Sequence, residues 1–435
     1  MRKTMMAALA LSLSAAGMAA AAPRAPAMQA VADETIAIAA VRAAIAANYV
    51  VRDKRAALDA VLARGLAAGR YKGLDPQELS RRVTDDLFAV AHDKHLSLSF
   101  QPQVSAQLAQ GGRNDEIDDS SFFKAFARSR NHGVAEMRVL EGNIRIVSYE
   151  GFIWTGPESA AAIDAAMAFL RDGDAAIIDL RHNGGGSPEA VRHLASYFVP
   201  ADTRLVTFHL RSDAPTTSVS EATVPGGRIG KVPVYVLTSG HTASAAEEFA
   251  SHVRRLGFGT LVGEATAGAA YRNEQFPVPG GFVLSVSIGY PELPGGGNWE
   301  GTGVAPAIAV PEGLALERAL QAAALALAEK AAGPEKTALL WSAALHGARV
   351  APAKVRLPLA SYAGRYGPRV VSVEGDHLVY QRDGGLRSIL FAVGPDLFAL
   401  ERDSATRVRF TGAGDAVTGF DLERADGSVT PQPRS

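Results

Sequence analysis

The sequence lacks cysteine altogether and carries almost no net charge. Among its 435 residues, Lys and Arg (44) nearly balance Asp and Glu (45), which leaves a formal net charge of −1. Without cysteine the chain forms no disulfide and cannot be anchored through a lipidated cysteine. So small a net charge gives no electrostatic reason to expect nucleic acid or an anionic membrane surface as a partner. The hydrophobic share of 47% and the charged share of 20% are those of a globular protein.

Long hydrophobic runs are also missing, except near the N-terminus. Residues 5–20 are apolar, follow Arg2 and Lys3, and end in an alanine-rich stretch before Pro23. A basic start, a short apolar run and small residues at its end predict a secretory signal peptide over residues 1–22, and a retained anchor is the alternative. We therefore expect an exported protein, in a bacterial periplasm or outside the cell, with no integral membrane segment after signal removal.

Hydrophobic patterning divides the remaining chain into several parts and predicts an α/β fold. Apolar residues first recur at helical spacing, and later strands alternate with helices around two buried apolar runs, 175–180 and 232–237, which are typical of a parallel sheet. The predicted boundaries are 23–34 for an Ala/Pro-rich linker, 35–100 for a helical N-terminal domain, 101–132 for a loop connection, 133–313 for an α/β core, 314–356 for a helical connection and 357–435 for a small all-β module.

Ser244 is the first candidate for chemistry. It follows the second buried strand and starts a helix, so its hydroxyl is expected near the positive end of the helix dipole and near backbone N–H groups free to bind an oxyanion. The same segment, Ser244 to Glu247, fits a capping box in which the serine caps the helix and the glutamate reaches back. The local pattern leaves a nucleophile and a structural cap open.

A glycine-rich loop, Asn-Gly-Gly-Gly at residues 183–186, follows the first buried strand. Its backbone can approach a ligand closely and present N–H groups. It has neither the Gly-Lys-Ser/Thr of a Walker loop nor the glycine spacing of a dinucleotide site. The loop favours an oxyanion hole built from Gly185 or Gly186 together with the N–H of Ala245, and a plain glycine turn is the alternative.

A serine nucleophile needs a base and a carboxylate that orients this base. Among 10 histidines, His95 stands out because it lies between the helical domain and a predicted strand, beside Asp93. His92, Asp93 and His95 also suggest a metal site, but two histidines three residues apart without a third ligand are weak evidence for one, and we expect neither metal nor cofactor. For the carboxylate, the residues alone leave Glu300 and Glu264 open.

Three motifs in the order 178–186, 242–247 and 263–268 resemble those of the C-terminal-processing (tail-specific) serine peptidase family. Residues 93–95 and 131–144 resemble the branch that includes interphotoreceptor retinoid-binding protein and the tricorn core. The resemblance covers roughly residues 35 to 311. Members of the Ser–Lys type carry lysine where this chain has Ala269, and they carry a PDZ domain for which residues 101–132 leave no room. A Ser–Lys dyad is therefore not expected.

The resemblance implies a fold, an activity and a set of site residues. The implied fold is a ClpP/crotonase-like core of stacked ββα units with a helical N-terminal domain. The implied activity is that of a serine peptidase acting on peptide or protein substrates, with Ser244, His95 and Glu300 as its triad, which separates Glu300 from Glu264. Other residues expected to line the substrate site are His182, His241, Thr266, Gly268, Tyr271 and Arg272.

Two other functions are compatible with the same residues. One is a non-catalytic module that binds an apolar ligand, as in the retinoid-binding relative, and the other is an esterase for small esters. An intact serine, histidine and glutamate argue against the first, because a protein that only binds has no need of all three. The sequence predicts no oligomeric state.

Overall fold

A computed structural model of the chain describes residues 34–111, 120–211, 214–230 and 232–435. The predicted signal peptide, 1–22, and the predicted linker, 23–34, lie outside the described residues, except that Glu34 begins the first helix. In the described part of the chain, no helix is both long enough and apolar enough to cross a membrane.

Helices and strands alternate along most of the chain, and strands dominate its C-terminal part. The helices are α1 (Glu34–Asn48), α2 (Arg55–Ala67), α3 (Pro76–Ala91), α4 (Pro102–Ala109), α5 (Ser121–Ser129), α6 (Pro157–Arg171), α7 (Pro188–Ser196), α8 (Ala245–Leu256), α9 (Ala315–Ala328), α10 (Gly333–Val350) and α11 (Leu359–Tyr362). The strands are β1 (Ser97–Phe100), β2 (Val134–Leu140), β3 (Ile144–Tyr149), β4 (Ala175–Asp179), β5 (Arg204–Leu210), β6 (Thr216–Val219), β7 (Val234–Thr238), β8 (Thr260–Gly263), β9 (Arg272–Val278), β10 (Phe282–Glu292), β11 (Ile308–Ala309), β12 (Gly364–Tyr366), β13 (Arg369–Glu374), β14 (His377–Arg382), β15 (Arg387–Ala392), β16 (Leu397–Leu400), β17 (Asp403–Ala413), β18 (Ala416–Arg424) and β19 (Val429–Pro433).

A six-stranded sheet in the order β11-β8-β7-β4-β3-β2 forms the core, and all its pairings are parallel except that of β2 with β3. Strands β4 and β7 are buried at every residue because α6, α7 and α8 cover one face of the sheet and α9 covers the other. Since β4 and β7 are parallel neighbours, the loops after them meet at one edge of the sheet. The α/β fold predicted from the sequence is confirmed.

The N-terminal helices pack on a second, antiparallel sheet in the order β1-β10-β5-β6, with β9 also paired to β10. Asp75 accepts the N–H of Glu78 at 2.9 Å and so caps the start of α3, which ends at His92 in the left-handed conformation. The chain then pairs with β10 through β1, with Ser97 opposite Ser285. The segment between α3 and β1 is therefore held at both ends.

The predicted loop over residues 101–132 differs from the structure, which has α4 and α5 in this range. Ser120 accepts the N–H of Phe123 at 3.1 Å and caps α5. This helix contains three aromatic residues, Phe122, Phe123 and Phe126. The polar residues that precede it in the sequence favoured the prediction of a loop. Residues 112–119 lie outside the described residues.

The C-terminal module is an eight-stranded antiparallel meander, β12 to β19 in sequence order. A further bridge joins Tyr366 in β12 to Arg434, which follows β19, so the two edges of the sheet meet. Its interior is aromatic, and the rings of Tyr366, Phe410 and Phe420 are within 5.8 Å of one another, centroid to centroid. Two helices, α9 and α10, connect this module to the core where the sequence predicted a helical connection.

Candidate active site

Ser244 lies at the start of α8 in a strained conformation, with φ 54 and ψ −121. Residues other than glycine rarely adopt such a conformation, and where they do the surrounding structure must hold it. The hydroxyl oxygen of Ser244 is 3.3 Å from Nε2 of His95, within hydrogen-bond distance. The fold thus brings together two side chains that are 149 residues apart in the chain.

Glu247 fixes the loop that carries the third motif to the start of α8. It is fully buried, at 0% exposure, and its carboxylate accepts the N–H of Ser244 at 2.9 Å, the hydroxyl of Thr266 at 2.6 Å, and the N–H groups of Gly268 and Ala269 at 2.6 and 2.8 Å. Burial raises the pKa of Glu247, and these hydrogen bonds oppose that shift by favouring the charged form. Glu247 therefore holds the backbone of Ser244, while the hydroxyl of the same serine faces His95.

The glycine loop lies directly against Ser244. Gly185 has φ +107, and a Cβ placed on it would lie 2.7 Å from Cβ of Ser244, so only glycine fits. The side chain of Asn183 is buried and accepts the N–H of Gly185 at 2.9 Å. The N–H groups of Gly186 and Ala245 have no acceptor in the described ranges. Of the three predicted oxyanion donors, Gly185 is already engaged, and Gly186 and Ala245 are free.

His95 lies in the short segment between α3 and β1. Its backbone N–H donates to Oδ1 of Asp93 at 2.8 Å, which fixes the turn, and its ring Nδ1 is buried without a partner in the described residues. Burial lowers the pKa of His95, and the negative charge of Asp93 partly opposes this shift. The imidazole is therefore neutral near pH 7, which is the form that accepts a proton.

Two carboxyl groups share the buried region around His95. Asp93 is 1% exposed, and its Oδ2 has no partner in the part of the chain that is described. Glu300 accepts the N–H groups of Ala270 and Tyr271 at 2.6 and 3.1 Å. Burial raises the pKa of Glu300 to about 7, and the charge of Asp93 adds to the shift. No hydrogen bond joins Glu300 to His95 among the described residues, so Glu300 here holds the backbone before β9.

Ser244 opens onto a cleft of about 470 Å³. Tyr271 and Arg272, both expected to line the site, are on its wall. Thr266 and Gly268 were expected there as well, but they are not among its lining residues. The reason is that their polar groups face the buried carboxylate of Glu247.

Three other residues singled out in the sequence point away from the cleft. His182 lines a separate cavity, and its Nδ1 is 3.6 Å from a carboxylate oxygen of Glu312. His241 is exposed, because the turn before α8 directs it to solvent. Glu264 accepts the N–H of Glu312 at 3.0 Å. The sequence motifs place His182 and His241 beside the two loops. They do not indicate where these side chains point.

The cleft also contains residues that the sequence analysis missed. Phe152, Trp154 and Phe208 come from segments without a motif, and no signal in the sequence points to them. Glu248 is different, because it lies in the first turn of α8, four residues after Ser244. That spacing was available in the sequence.

A serine hydroxyl at a helix start, an imidazole 3.3 Å away and backbone N–H groups without an acceptor in the described residues are groups that a serine hydrolase uses. Residues 142–310 match the model of peptidase family S41. This part of the chain resembles a family of serine-type peptidases, and the predicted resemblance to C-terminal-processing peptidases is confirmed.

Solved structures overlap with part of the chain. The photosystem II D1 C-terminal processing protease is 17% identical, with a TM-score of 0.41 over 65% of this chain and 95% of that one. A lipoprotein from Streptococcus agalactiae is 18% identical, with a TM-score of 0.41 over 63% and 90%. A protein from Parabacteroides merdae, described as a candidate peptidase, is 19% identical, with a TM-score of 0.45 over 64% and 89%. The family match, and not these overlaps, carries the assignment.

Proposed function

We propose that this chain is an exported serine peptidase in which Ser244 is the nucleophile and His95 its base. The observation that carries the proposal is the 3.3 Å distance between the serine Oγ and the imidazole Nε2 at the edge of a cleft. The order of basic, apolar and small residues over positions 1–22 supports export.

The reaction that this geometry supports is acyl transfer. The Oγ of Ser244 attacks the peptide carbonyl carbon, and its proton passes to Nε2 of His95. The N–H groups of Gly186 and Ala245 bind the resulting oxyanion, and each such donor is worth roughly 10²–10³ in rate. The imidazolium then gives its proton to the departing amine, which leaves an acyl-enzyme. Water, deprotonated by His95, attacks the ester, and the acid product departs with Ser244 restored.

An imidazolium needs a carboxylate at its second nitrogen, and Nδ1 of His95 has no partner in the described residues. We assign the orienting role to Glu300, which the family resemblance implies, and a supporting electrostatic role to Asp93. The N–H groups of Ala270 and Tyr271 both donate to Oε2 of Glu300, so its Oε1 is the oxygen that closes on Nδ1. Such tightening on substrate binding is common, since catalytic hydrogen bonds are often incomplete in free enzymes.

An active-site fluorophosphonate tests the nucleophile. At pH 8, where His95 is neutral, we expect the folded protein to be labelled once, on Ser244, and Ser244→Ala to remain unlabelled. Labelling that survives in Ser244→Ala places the nucleophile elsewhere. A folded wild-type protein that resists labelling supports the apolar-ligand module instead, and turnover of small esters without cleavage of any peptide supports the esterase.

The pH dependence of kcat/KM distinguishes the role of Glu300 from that of Asp93. We expect Glu300→Gln to lower kcat by about 10²–10⁴-fold, because the imidazolium loses its orienting partner. Asp93→Asn should cost about 10-fold and move the acid limb of the profile to lower pH, since a charge that raises the pKa of His95 is removed. If Asp93→Asn costs more than Glu300→Gln, the orienting role belongs to Asp93.

A further inference from the structure

We propose that Glu248 makes the cleft beside Ser244 a subsite for a cationic side chain, so that the protein cleaves after lysine or arginine. This inference rests on the proposed peptidase function and names its substrate class. The carboxylate of Glu248, and not any group of the triad, is the specificity determinant.

The position of Glu248 relates it to the bond that is cut. Glu248 lies in the first turn of α8, its backbone N–H donates to the carbonyl of Ser244 at 3.0 Å, and both residues line the same cleft. The free N–H groups of Gly186 and Ala245 hold the attacked carbonyl next to Ser244. In the proposed complex, the side chain that reaches Glu248 is that of the residue carrying this carbonyl.

The carboxylate of Glu248 has few partners among the described residues. The residue is 3% exposed, its Oε1 is 3.4 Å from Nε2 of His252, and its Oε2 has no hydrogen bond within the described ranges. His252 is fully buried, and its Nδ1 has no partner there either. Glu248 thus has one long contact within the described ranges.

A carboxylate with a single long contact gains from a cation that arrives with a ligand. The cleft as a whole favours such a ligand, because Glu189 and Glu274 also line it. Its one lining guanidinium, that of Arg272, lies 5.4 Å from the ring of Phe208 and forms no ion pair with Glu248 in the described structure.

The rest of the cleft suits the stem of a long basic side chain. Phe152, Trp154 and Trp299 line it together with Glu248. The methylene groups of lysine or arginine pack on such rings while the charged end reaches a carboxylate. An aromatic face also attracts the cation itself. A basic side chain therefore matches both the wall and its buried charge, whereas an acidic one meets repulsion.

Peptidyl diphenyl phosphonates that differ only in the residue before the phosphorus test this subsite. Lysine, norleucine and glutamate versions are compared by their second-order rates of labelling Ser244. We expect the lysine probe to react at least about 10-fold faster than norleucine, which has nearly the same length without charge, and glutamate to react slowest. In Glu248→Gln the ratio of lysine to norleucine should fall close to one.

Glu158→Gln is the matched control, since it makes the same change on the exposed surface of α6 and should keep the wild-type ratio. Each ratio is measured within one protein, so a loss of folded material cancels. A norleucine or glutamate preference in the wild type overturns the proposal, and so does a lysine preference that persists in Glu248→Gln. Failure of a small fluorophosphonate to label Ser244 contradicts the peptidase function itself, and the subsite with it.

Discussion

Replacing His95 with glutamine is expected to lower kcat for peptide hydrolysis by at least about 10⁴-fold. The Nε2 of His95 is 3.3 Å from the attacking oxygen, and glutamine cannot take up its proton near neutral pH. KM should change little, because His95 is not among the residues that line the cleft. Steady-state kinetics on a cleavable peptide, with thermal unfolding as a check on the fold, measures both.

His92→Gln is the matched control for this loss. His92 is exposed, lies three residues earlier and ends α3, so its replacement should keep kcat within about twofold of wild type. The wild-type profile of kcat/KM should also show an acid limb below the ordinary range of histidine, since burial lowers the pKa of His95, and this limb should vanish in His95→Gln. A loss smaller than about 10-fold in His95→Gln would be inconsistent with its role as the base.

Replacing Glu247 with alanine is expected to destabilise the protein by about 3–5 kcal/mol and to abolish activity in what remains folded. Its buried carboxylate accepts four hydrogen bonds, from Ser244, Thr266, Gly268 and Ala269. Alanine leaves all four donors without an acceptor in a site closed to water. The strained backbone of Ser244 would also lose the contact that holds its N–H. Urea unfolding gives the free energy of unfolding.

Glu247→Gln provides the comparison, and it remains informative if the alanine variant does not fold. The carboxamide keeps the size of the side chain and one acceptor oxygen, so we expect a smaller loss of about 1–3 kcal/mol. Its activity should lie between wild type and the alanine variant. An alanine variant as stable as wild type would show that Glu247 does not hold the loop of the third motif.

The parallel core was predictable because burial on both faces leaves continuous apolar runs. The predicted strand over 175–180 agrees with β4 to within a residue. The antiparallel sheet was harder to predict. Strands β5 and β6 have polar residues such as Thr207 and Thr217 that pair across the sheet, and long-range pairing of this kind leaves no local signal.

At the site, the sequence predicted the identity of the residues better than their contacts and hydrogen bonds. Ser244 and His95 come close only because β1 pairs with β10, and no local pattern encodes that pairing. Likewise, the choice between Gly185 and Gly186 as a free donor depends on the amide of Asn183. The orientation of the Asn183 side chain therefore decides which glycine N–H is without an acceptor in the described residues.

The serine and the histidine are held by different hydrophobic cores. Helix α8, which begins just after Ser244, packs with the parallel sheet, whereas the helices and strand that flank His95 pack in the separate cluster formed by α1 to α3, β9 and β10. A chain in which only one of these cores has formed contains no reactive pair. We therefore expect hydrolytic activity only after both cores have formed.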